Sequence, residues 1–326
     1  MAHELPYIAA IEEAIREEME RDESVLYFGQ NIATHENDPF LKQFGSDRVR
    51  VTPISETAEI GMAVGTAIAG YRPVVELYMA EFMLVAMDQV VNEANRFHYM
   101  SAGQVKVPLV LKAGYGFTAG WAGQHTGTIY GMFMGVPGLK VAVPATAADA
   151  KGLMTTAIRD DNPVAYFHHY LLTLEHGDAP DGEYAVPFGE AAVRREGTDV
   201  TIVAIGWCVD RALAAAEQLA AAGVSAEVID PRTLAPLDTA TILGSVAKTG
   251  RLVVVDQSTR HGSAAAVIAA EVASEGFDSL QAPVKLVTAL DATIPYSKPM
   301  EDYLLPDEAK IVAAAQQALG SAPVTA

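Results

Sequence analysis

The second half of the chain alternates short apolar runs with longer segments that carry one apolar face. Residues 200–205 are apolar and rich in β-branched side chains, which predicts a buried strand. Residues 208–222 have helical periodicity, and Gly223 ends that helix. Further strands are predicted at 224–229, 252–255 and 284–287, with a helix at 267–274. Because strands and helices alternate, we expect a parallel sheet with crossover helices.

The first half repeats this alternation. The pattern predicts strands at 74–77, 107–111 and 139–143, and helices at 1–22, 81–99 and 147–159. Gly, Pro and Asp concentrate in residues 176–189, which is typical of a linker, and residues 320–326 are predicted to be a frayed tail. We therefore expect two α/β parallel-sheet domains, residues 1–185 and 186–326.

Composition limits the function. Half of the 326 residues are hydrophobic and the mean hydropathy is +0.18, yet no uncharged apolar run is long enough to span a membrane, so buried interfaces in an oligomer are expected. The net charge of −19 argues against a nucleic-acid or anionic-membrane partner. The acidic start is not expected to be a signal peptide, and Cys208 alone allows no internal disulfide and no cysteine-cluster metal site. We expect a cytoplasmic, associating protein.

Several common catalytic motifs are absent from the sequence. No GxGxxG or GxxxxGK[ST] motif follows a predicted strand, which disfavours a dinucleotide site, and the absence of a GxSxG motif weakens a hydrolase interpretation. His168 and His169 are adjacent on a predicted strand, so their side chains would point to opposite faces and could not share one metal.

Glu56 lies just ahead of a helical stretch of small and apolar residues, 58–70. Pro53 cannot continue a preceding helix, and Ser55 is expected to cap the helix that follows. The helix dipole favours the charged carboxylate, whereas apolar burial favours the protonated acid. Such a group could exchange a proton with a ligand nitrogen; the alternative is an ordinary first-turn Glu that stabilises the helix end.

His125 lies in a segment with glycines at 120, 123 and 127. Glycines let the backbone approach a ligand closely, and a histidine there can donate a hydrogen bond or a proton near neutral pH. The alternative is a loop histidine that bonds to a neighbouring carbonyl group.

Several segments occur together and carry a family resemblance. They are 52–56 (TPISE), 70–76, 124–125, 137–143, 149–153, 157–163, 187–191 and 230–233. Together, from the first helix to Lys310, they resemble the β subunit of the thiamine-diphosphate-dependent decarboxylating component of 2-oxo acid dehydrogenase complexes. This family includes the pyruvate, branched-chain 2-oxo acid and acetoin enzymes. The resemblance implies a transketolase-like pyrimidine-binding domain followed by a transketolase C-terminal-like domain.

The resemblance also implies roles for individual residues. Glu56 would bond to N1′ of the cofactor's aminopyrimidine ring, Ile54 would contact the cofactor beside it, and Phe82 would pack on the ring. Val85 stands where a polar cofactor contact is common, and His125 corresponds to a histidine near the substrate and the lipoyl group.

Metal sites are implied in the same way. A possible structural potassium site of some members corresponds to the carbonyl groups of Leu109, Ala157, Ile158 and Asp160, with Asn162. Mg²⁺ at the cofactor's diphosphate needs a Gly-Asp-Gly…Asn pattern, and this chain has only Gly-Asp-Ala at 177–179. A separate α subunit is therefore expected to hold the Mg²⁺-diphosphate end, and the chain alone should be inactive.

The expected assembly is α₂β₂. The small residues Ala58, Gly61, Gly65 and Ala69 recur at helical spacing, and by family analogy this face lies at a β–β contact. The alternative is close packing within one subunit. A lipoyl acyltransferase is the expected further partner.

The function implied is decarboxylation of a 2-oxo acid, or cleavage of acetoin, with transfer of the acyl group to lipoyl-lysine. Two alternatives stay open: a two-subunit transketolase-like or acyloin-forming enzyme that does not use lipoate, and a non-catalytic scaffold subunit. The chain departs from the family at Gln30, which replaces an acid, at Glu59, and at 167–170 and 255–262. These departures cluster where substrate or partner would be met.

Overall fold

The computed structural model describes residues 2–30, 32, 38–116 and 120–320. Most of the predicted frayed tail, residues 321–326, lies outside the described residues.

Strands and helices alternate along most of the described chain. The strands are β1 (Ala2–Pro6), β2 (Val25–Gly29), β3 (Val49–Val51), β4 (Arg72–Met79), β5 (Val110–Tyr115), β6 (Lys140–Ala142), β7 (Val164–His169), β8 (His176–Pro180), β9 (Ala192–Arg195), β10 (Val200–Ala204), β11 (Ala226–Asp230), β12 (Thr233–Ala235), β13 (Leu252–Thr259) and β14 (Lys285–Ala289). The helices are α1 (Tyr7–Arg21), α2 (Pro39–Phe44), α3 (Glu56–Ile68), α4 (Phe97–Met100), α5 (Tyr130–Met134), α6 (Ala147–Arg159), α7 (Cys208–Ala221), α8 (Thr239–Thr249), α9 (Ala264–Glu275), α10 (Lys298–Leu304) and α11 (Glu308–Ala318).

Two larger sheets organise these elements. The first has the strand order β12-β6-β7-β5-β4-β2-β3 and the second has the order β14-β13-β10-β11-β9. Neighbouring strands are parallel except at one edge of each sheet, where β12 pairs antiparallel with β6 and β9 pairs antiparallel with β11. The prediction of two parallel α/β sheets is confirmed, with one antiparallel edge strand on each.

Apolar burial explains why these segments fold as they do. Every residue of β10 is buried, as is every residue of β5, which fits strands covered by helices on both faces. In α1 the apolar face formed by Ile11, Ile15 and Met19 is fully buried, and the helix packs against α6. Each such side chain contributes about 1.5–3 kcal/mol when it leaves water.

Two sequence predictions are wrong. Residues 1–22 do not form one helix, because β1 pairs antiparallel with β8 and the helix starts only after Pro6. Residues 81–99 do not form one helix either; they comprise a 3₁₀ segment (Ala80–Ala86), a π segment (Gln89–Ala94) and the short α4. Such irregular helical geometry is frequent at functional sites. The predicted linker at 176–189 contains β8, so part of it belongs to a sheet.

A strand pairing and a set of ion pairs join the two halves of the chain. Strand β12 comes from the second half but pairs with β6 of the first sheet. Arg194 forms ion pairs with Asp149 and Asp230, which connect α6 to the second sheet. Burial raises the pKa of Asp230 to about 6 although Arg194 opposes that shift. The domain boundary at 185/186 stays a prediction.

Candidate active site

The carboxyl ends of the parallel strands converge on one region. Gln30 follows β2, Tyr78 lies at the end of β4, and Tyr170 follows β7. Glu56 begins α3, which follows the neighbouring strand β3. In parallel α/β sheets, ligands bind at this edge because the loops there converge.

Glu56 is almost enclosed, with 8% of its surface exposed. It is the first residue of α3, as the sequence predicted. Ser55 holds the N-cap position, but its side chain makes no capping hydrogen bond, so the prediction that it caps the helix is wrong. The side chain of Ser55 is exposed.

A single amide group bridges two carboxyl groups at the start of α3. Nε2 of Gln30 donates hydrogen bonds to Oε1 of Glu56 (3.0 Å) and to Oε2 of Glu59 (3.1 Å). The hydroxyl of Thr52 donates to Oε1 of Glu59 (2.6 Å). Burial raises the pKa of Glu59 to about 7, against the opposing effect of these two hydrogen bonds. We call Gln30, Glu56 and Glu59 the carboxyl–amide clamp.

Beside the clamp lies a cavity of about 910 Å³. It is lined by Gln30, Ile54, Tyr78, Phe82, Trp121, Ala122, Gly123, Gln124, His125, Thr293, Ile294 and Tyr296. The structure therefore brings Ile54, Phe82 and His125 together around one cavity. Glu56 does not line this cavity, but it accepts a hydrogen bond from Gln30, which does. Val85 does not line this cavity; it is 64% exposed, and its carbonyl oxygen accepts a hydrogen bond from Thr57. A large, mainly apolar cavity with few polar groups is the usual form of a cofactor site.

His125 faces aromatic rings on two sides. The centre of its ring lies 5.3 Å from that of Phe82 and 6.1 Å from that of Trp121, with edge-to-face geometry in both pairs. Within residues 2–30, 32, 38–116 and 120–320, the imidazole makes no hydrogen bond. The alternative interpretation, a ring bonded to a nearby carbonyl group, is therefore not seen in the described part of the chain.

Two carboxylates hold the loop that carries His125. The amide of Gly127 donates to Oε2 of Glu81 (2.8 Å), and the amide of Gly120 donates to Oε1 of Glu301 in α10 (3.2 Å). A β-carbon at position 127 would overlap the Glu81 carboxylate, so a larger residue there would displace that side chain. Burial raises the pKa of Glu81. Sequence reasoning missed both acids, since neither is near the loop in the chain.

His168 and His169 occupy separate buried environments, as their adjacency on β7 predicts. Nε2 of His169 lies 2.5 Å from Oε1 of Gln257, and its Nδ1 accepts the Leu171 amide. Burial lowers the pKa of His169 to about 3, so the ring is neutral at physiological pH. Nδ1 of His168 has no partner among the described residues.

The five residues predicted around a potassium ion lie at the end of α6, between α6 and β7, and just before β5, the strand that pairs with β7. They are Leu109, Ala157, Ile158, Asp160 and Asn162. Nη1 of Arg72 donates to the carbonyl oxygens of Ile158 (3.1 Å) and Asp160 (3.0 Å). The carbonyls of Leu109 and Ala157 each accept a backbone amide. Each carbonyl oxygen retains a second lone pair that could bind a cation.

The small-residue face of α3 is largely uncovered. A β-carbon at Gly65 would meet no described atom within 4 Å, and Ala58 and Ala69 are exposed. Close packing within the subunit is therefore not seen at Gly65 in the described chain. Among the described residues, no group of three or more His, Cys, Asp or Glu is arranged to hold a metal ion, and no helix could cross a membrane.

Comparisons with known proteins agree with this fold. The transketolase pyrimidine-binding domain family matches residues 3–172, and the transketolase C-terminal domain family matches residues 189–311. A solved structure described as a split gene transketolase, inactive beta4 tetramer, has a TM-score of 0.82 at 23% identity and covers 97% of this chain and 98% of its own. The fold thus defines a transketolase-like protein.

Sequence relatives narrow the family. The β subunits of acetoin:2,6-dichlorophenolindophenol oxidoreductase from Cupriavidus necator and Bacillus subtilis are 43% and 40% identical over 98% of each chain. The pyruvate dehydrogenase E1 component subunit beta of Rickettsia conorii is 42% identical and covers 94% of this chain and 96% of its own. The chain belongs to the transketolase-like family of which these β subunits are members. The resemblance and fold class predicted from the sequence are confirmed.

If Glu81 and Glu301 hold the loop, replacing either with Ala should release one end of it. We expect amide hydrogen exchange in residues 120–127 to accelerate about tenfold in Glu81→Ala and in Glu301→Ala, because each loses one carboxylate hydrogen bond. Glu81→Gln and Glu301→Gln should stay near wild type, since an amide oxygen still accepts. Exchange followed by mass spectrometry measures this, with the exposed Glu217→Ala on α7 as a control. Equal exchange in all variants would contradict the anchoring role.

Proposed function

We propose that this chain is the β subunit of a thiamine-diphosphate-dependent enzyme that decarboxylates a 2-oxo acid or cleaves acetoin and transfers the acyl group to lipoyl-lysine. The observation that carries this proposal is the nearly buried Glu56, held by Gln30 beside a cavity with aromatic walls. Membership of the family supports it, because relatives from that family are named as acetoin and pyruvate dehydrogenase β subunits.

The proposed cofactor site uses the free side of Glu56. Gln30 occupies Oε1, and Oε2 has no hydrogen-bond partner among the described residues, so Oε2 is available to a ring nitrogen of a ligand. Phe82 and Ile54 supply apolar surface for a flat heterocycle. When bound, thiamine diphosphate supplies the electron sink for cleavage of the bond beside a carbonyl group. Glu56 would hold a proton at its contact with the aminopyrimidine ring.

His125 is the second proposed catalytic residue. Its loop is anchored at Gly120 and Gly127, while its ring nitrogens are left without partners in the described chain. An imidazole presented in this way can donate a hydrogen bond or move a proton near neutral pH. We propose that it acts on the substrate or on the incoming lipoyl group.

An α subunit is the proposed partner for the rest of the cofactor. The sequence lacks the Gly-Asp-Gly…Asn pattern for Mg²⁺-diphosphate, and the relatives are named as β subunits. Val85, which is exposed outside the cavity in the single chain, lies on the 3₁₀ segment that also carries Phe82. We propose that the α subunit covers this segment and binds Mg²⁺, and that the chain is inactive alone.

Glu56→Gln tests the proposed function. In the complex reconstituted with the α subunit, we expect turnover of 2-oxo acids and acetoin to fall by about 10²-fold or more, because the side chain can no longer hold the proton. Glu217→Gln, an exposed change on α7, should be indistinguishable from wild type. The assay measures acyl transfer to lipoyl-lysine over a panel of substrates.

The alternatives give different results in the same assay. Unchanged turnover in Glu56→Gln would contradict the role of this carboxylate, and a complex without any turnover would favour a scaffold subunit. Acyloin formation without acyl transfer to lipoyl-lysine would favour the transketolase-like alternative.

Gly65→Leu tests the proposed β–β contact. We expect the larger side chain to prevent close approach of two α3 helices, so that sedimentation shows a smaller assembly than wild type. Gly244→Leu is the matched control, because Gly244 is also an exposed helical glycine with no atom within 4 Å of a built β-carbon. A Gly65→Leu complex of wild-type size would show that the α3 face is not an interface.

We also propose that the carbonyl groups near Arg72 share a potassium ion. They are hard oxygen ligands with free lone pairs, which suit an alkali cation. We expect the Tm to be about 2–4 °C higher in KCl than in NaCl at the same ionic strength, since ligands that bind only the folded state stabilise it. Equal Tm values in the two salts would contradict a potassium ion at these carbonyl groups.

A further inference from the structure

Glu56 and Glu59 share one hydrogen-bond donor group. Nε2 of Gln30 has two N–H bonds, and the structure directs one to each carboxyl group, at 3.0 Å and 3.1 Å. Both carboxyl groups are buried: Glu56 is 8% exposed and Glu59 is 3% exposed. One neutral amide cannot offset two negative charges in so enclosed a place, so a proton on one of the two acids stabilises the arrangement.

Thr52 makes Glu59 suitable for holding that proton. Its hydroxyl lies 2.6 Å from Oε1 of Glu59. A hydroxyl group can donate to a carboxylate and can also accept from a carboxylic acid. Glu59 therefore keeps a hydrogen bond to Thr52 in both protonation states. Glu56 has no such second partner among the described residues, which leaves its other oxygen for a ligand.

The neighbouring charges act in the same direction. Helix α3 packs against β4 and against the 3₁₀ and π segments that follow it, and the charge of Glu76 on β4 acts on Glu59. Glu76 is itself paired with Lys112 of β5 and accepts a hydrogen bond from Tyr27 of β2 (3.0 Å). Lys112 forms its ion pair with Glu76, and no cation in the described chain forms an ion pair with Glu59. The charges of Glu56 and Glu76 both favour the protonated form of Glu59.

We propose that Gln30 and Glu59 are positioning residues for Glu56: the amide fixes one oxygen of Glu56, and Glu59 holds a proton beside it. This inference rests on the proposed function, since it assigns a task to the surroundings of the proposed catalytic carboxylate. A third carboxylate at position 30 could not donate to either partner while ionised.

The clamp makes the charge beside Glu56 depend on pH. Below about pH 7 Glu59 is neutral and the pair carries at most one charge, and above that pH it carries up to two. The folded pKa of Glu59 is above its ordinary value of 4.5, so its contribution to stability is fully present below pH 4.5 and is lost as pH rises through about 7. The wild type should therefore lose stability relative to Glu59→Gln between those two pH values.

The first test needs no cofactor. Infrared spectra of the ligand-free α–β complex should contain a buried carboxylic acid band that disappears with a midpoint near pH 7. This band should be absent in Glu59→Gln and present in the control Glu217→Gln. In Gln30→Ala it should persist to higher pH, because the mutant lacks a hydrogen bond that favours the carboxylate form. A wild-type spectrum without a titrating band that depends on Glu59 would overturn the inference.

The second test measures thiamine diphosphate binding by calorimetry between about pH 6 and pH 8. We expect the wild-type dissociation constant to vary with pH, and this variation to flatten in Glu59→Gln. Gln30→Ala should weaken binding about tenfold at every pH, because Glu56 then loses its fixed orientation. Gln30→Asn, which keeps the amide on a shorter chain, should recover part of that loss.

The outcomes separate the clamp from the proposed function. A wild-type complex that does not bind thiamine diphosphate contradicts the proposed function, and the infrared titration still decides the protonation of Glu59. A complex that binds the cofactor normally in Gln30→Ala and Glu59→Gln, with the wild-type pH dependence, overturns the clamp and leaves the role of Glu56 intact.

Discussion

The burial of a carboxyl group at the start of α3 is the constraint on which the site depends. Glu56 is held by the Gln30 amide, and Gln30 follows directly after β2. Position 29 before it admits only glycine, because a β-carbon there would overlap the backbone of Glu76 on β4. The close contact of β2 with β4 thus fixes the position of the Gln30 backbone, and the hydrogen bond from Gln30 orients the Glu56 carboxyl group. The position of the Glu56 carboxyl group therefore depends on the sheet through Gly29 and Gln30.

Both sheets contribute to the same cavity. Thr293, Ile294 and Tyr296 follow β14 of the second sheet and line the cavity beside Phe82 and His125. Glu301 of the following helix holds one end of the histidine loop. Because β12 and the Arg194 ion pairs join the two halves, these contributions come from one connected framework. A change in how the halves pack would therefore move His125 relative to Glu56.

The sequence predicted the regular parts of the fold well, because their signal is local. Residues 147–159 form α6 with the predicted bounds, and the apolar runs of the second half are strands. The predicted helix at 81–99 was wrong, since helical periodicity does not distinguish an α-helix from the 3₁₀ and π segments found there. The prediction of a helix at the start of the chain was wrong because β1 pairs with β8, a contact between distant residues that no local pattern shows.

The residues of the site could be predicted only in part, because local sequence patterns do not reveal contacts between distant residues. The family resemblance singled out Ile54, Phe82 and His125, and the structure gathers all three around one cavity. The hydrogen bonds from Gln30 to Glu56 and from the loop amides to Glu81 and Glu301 span 26, 46 and 181 positions, so no local pattern reveals them. Gln30 and Glu59 were visible only as departures from the family, without a physical role.

The most direct test of the central claim is a solved structure of the reconstituted α–β complex with thiamine diphosphate. We expect an oxygen of Glu56 within about 2.6–3.2 Å of N1′ of the aminopyrimidine ring, with Phe82 against the ring and the diphosphate on the α subunit. A cofactor bound elsewhere, with the Glu56 side chain facing water, would contradict it.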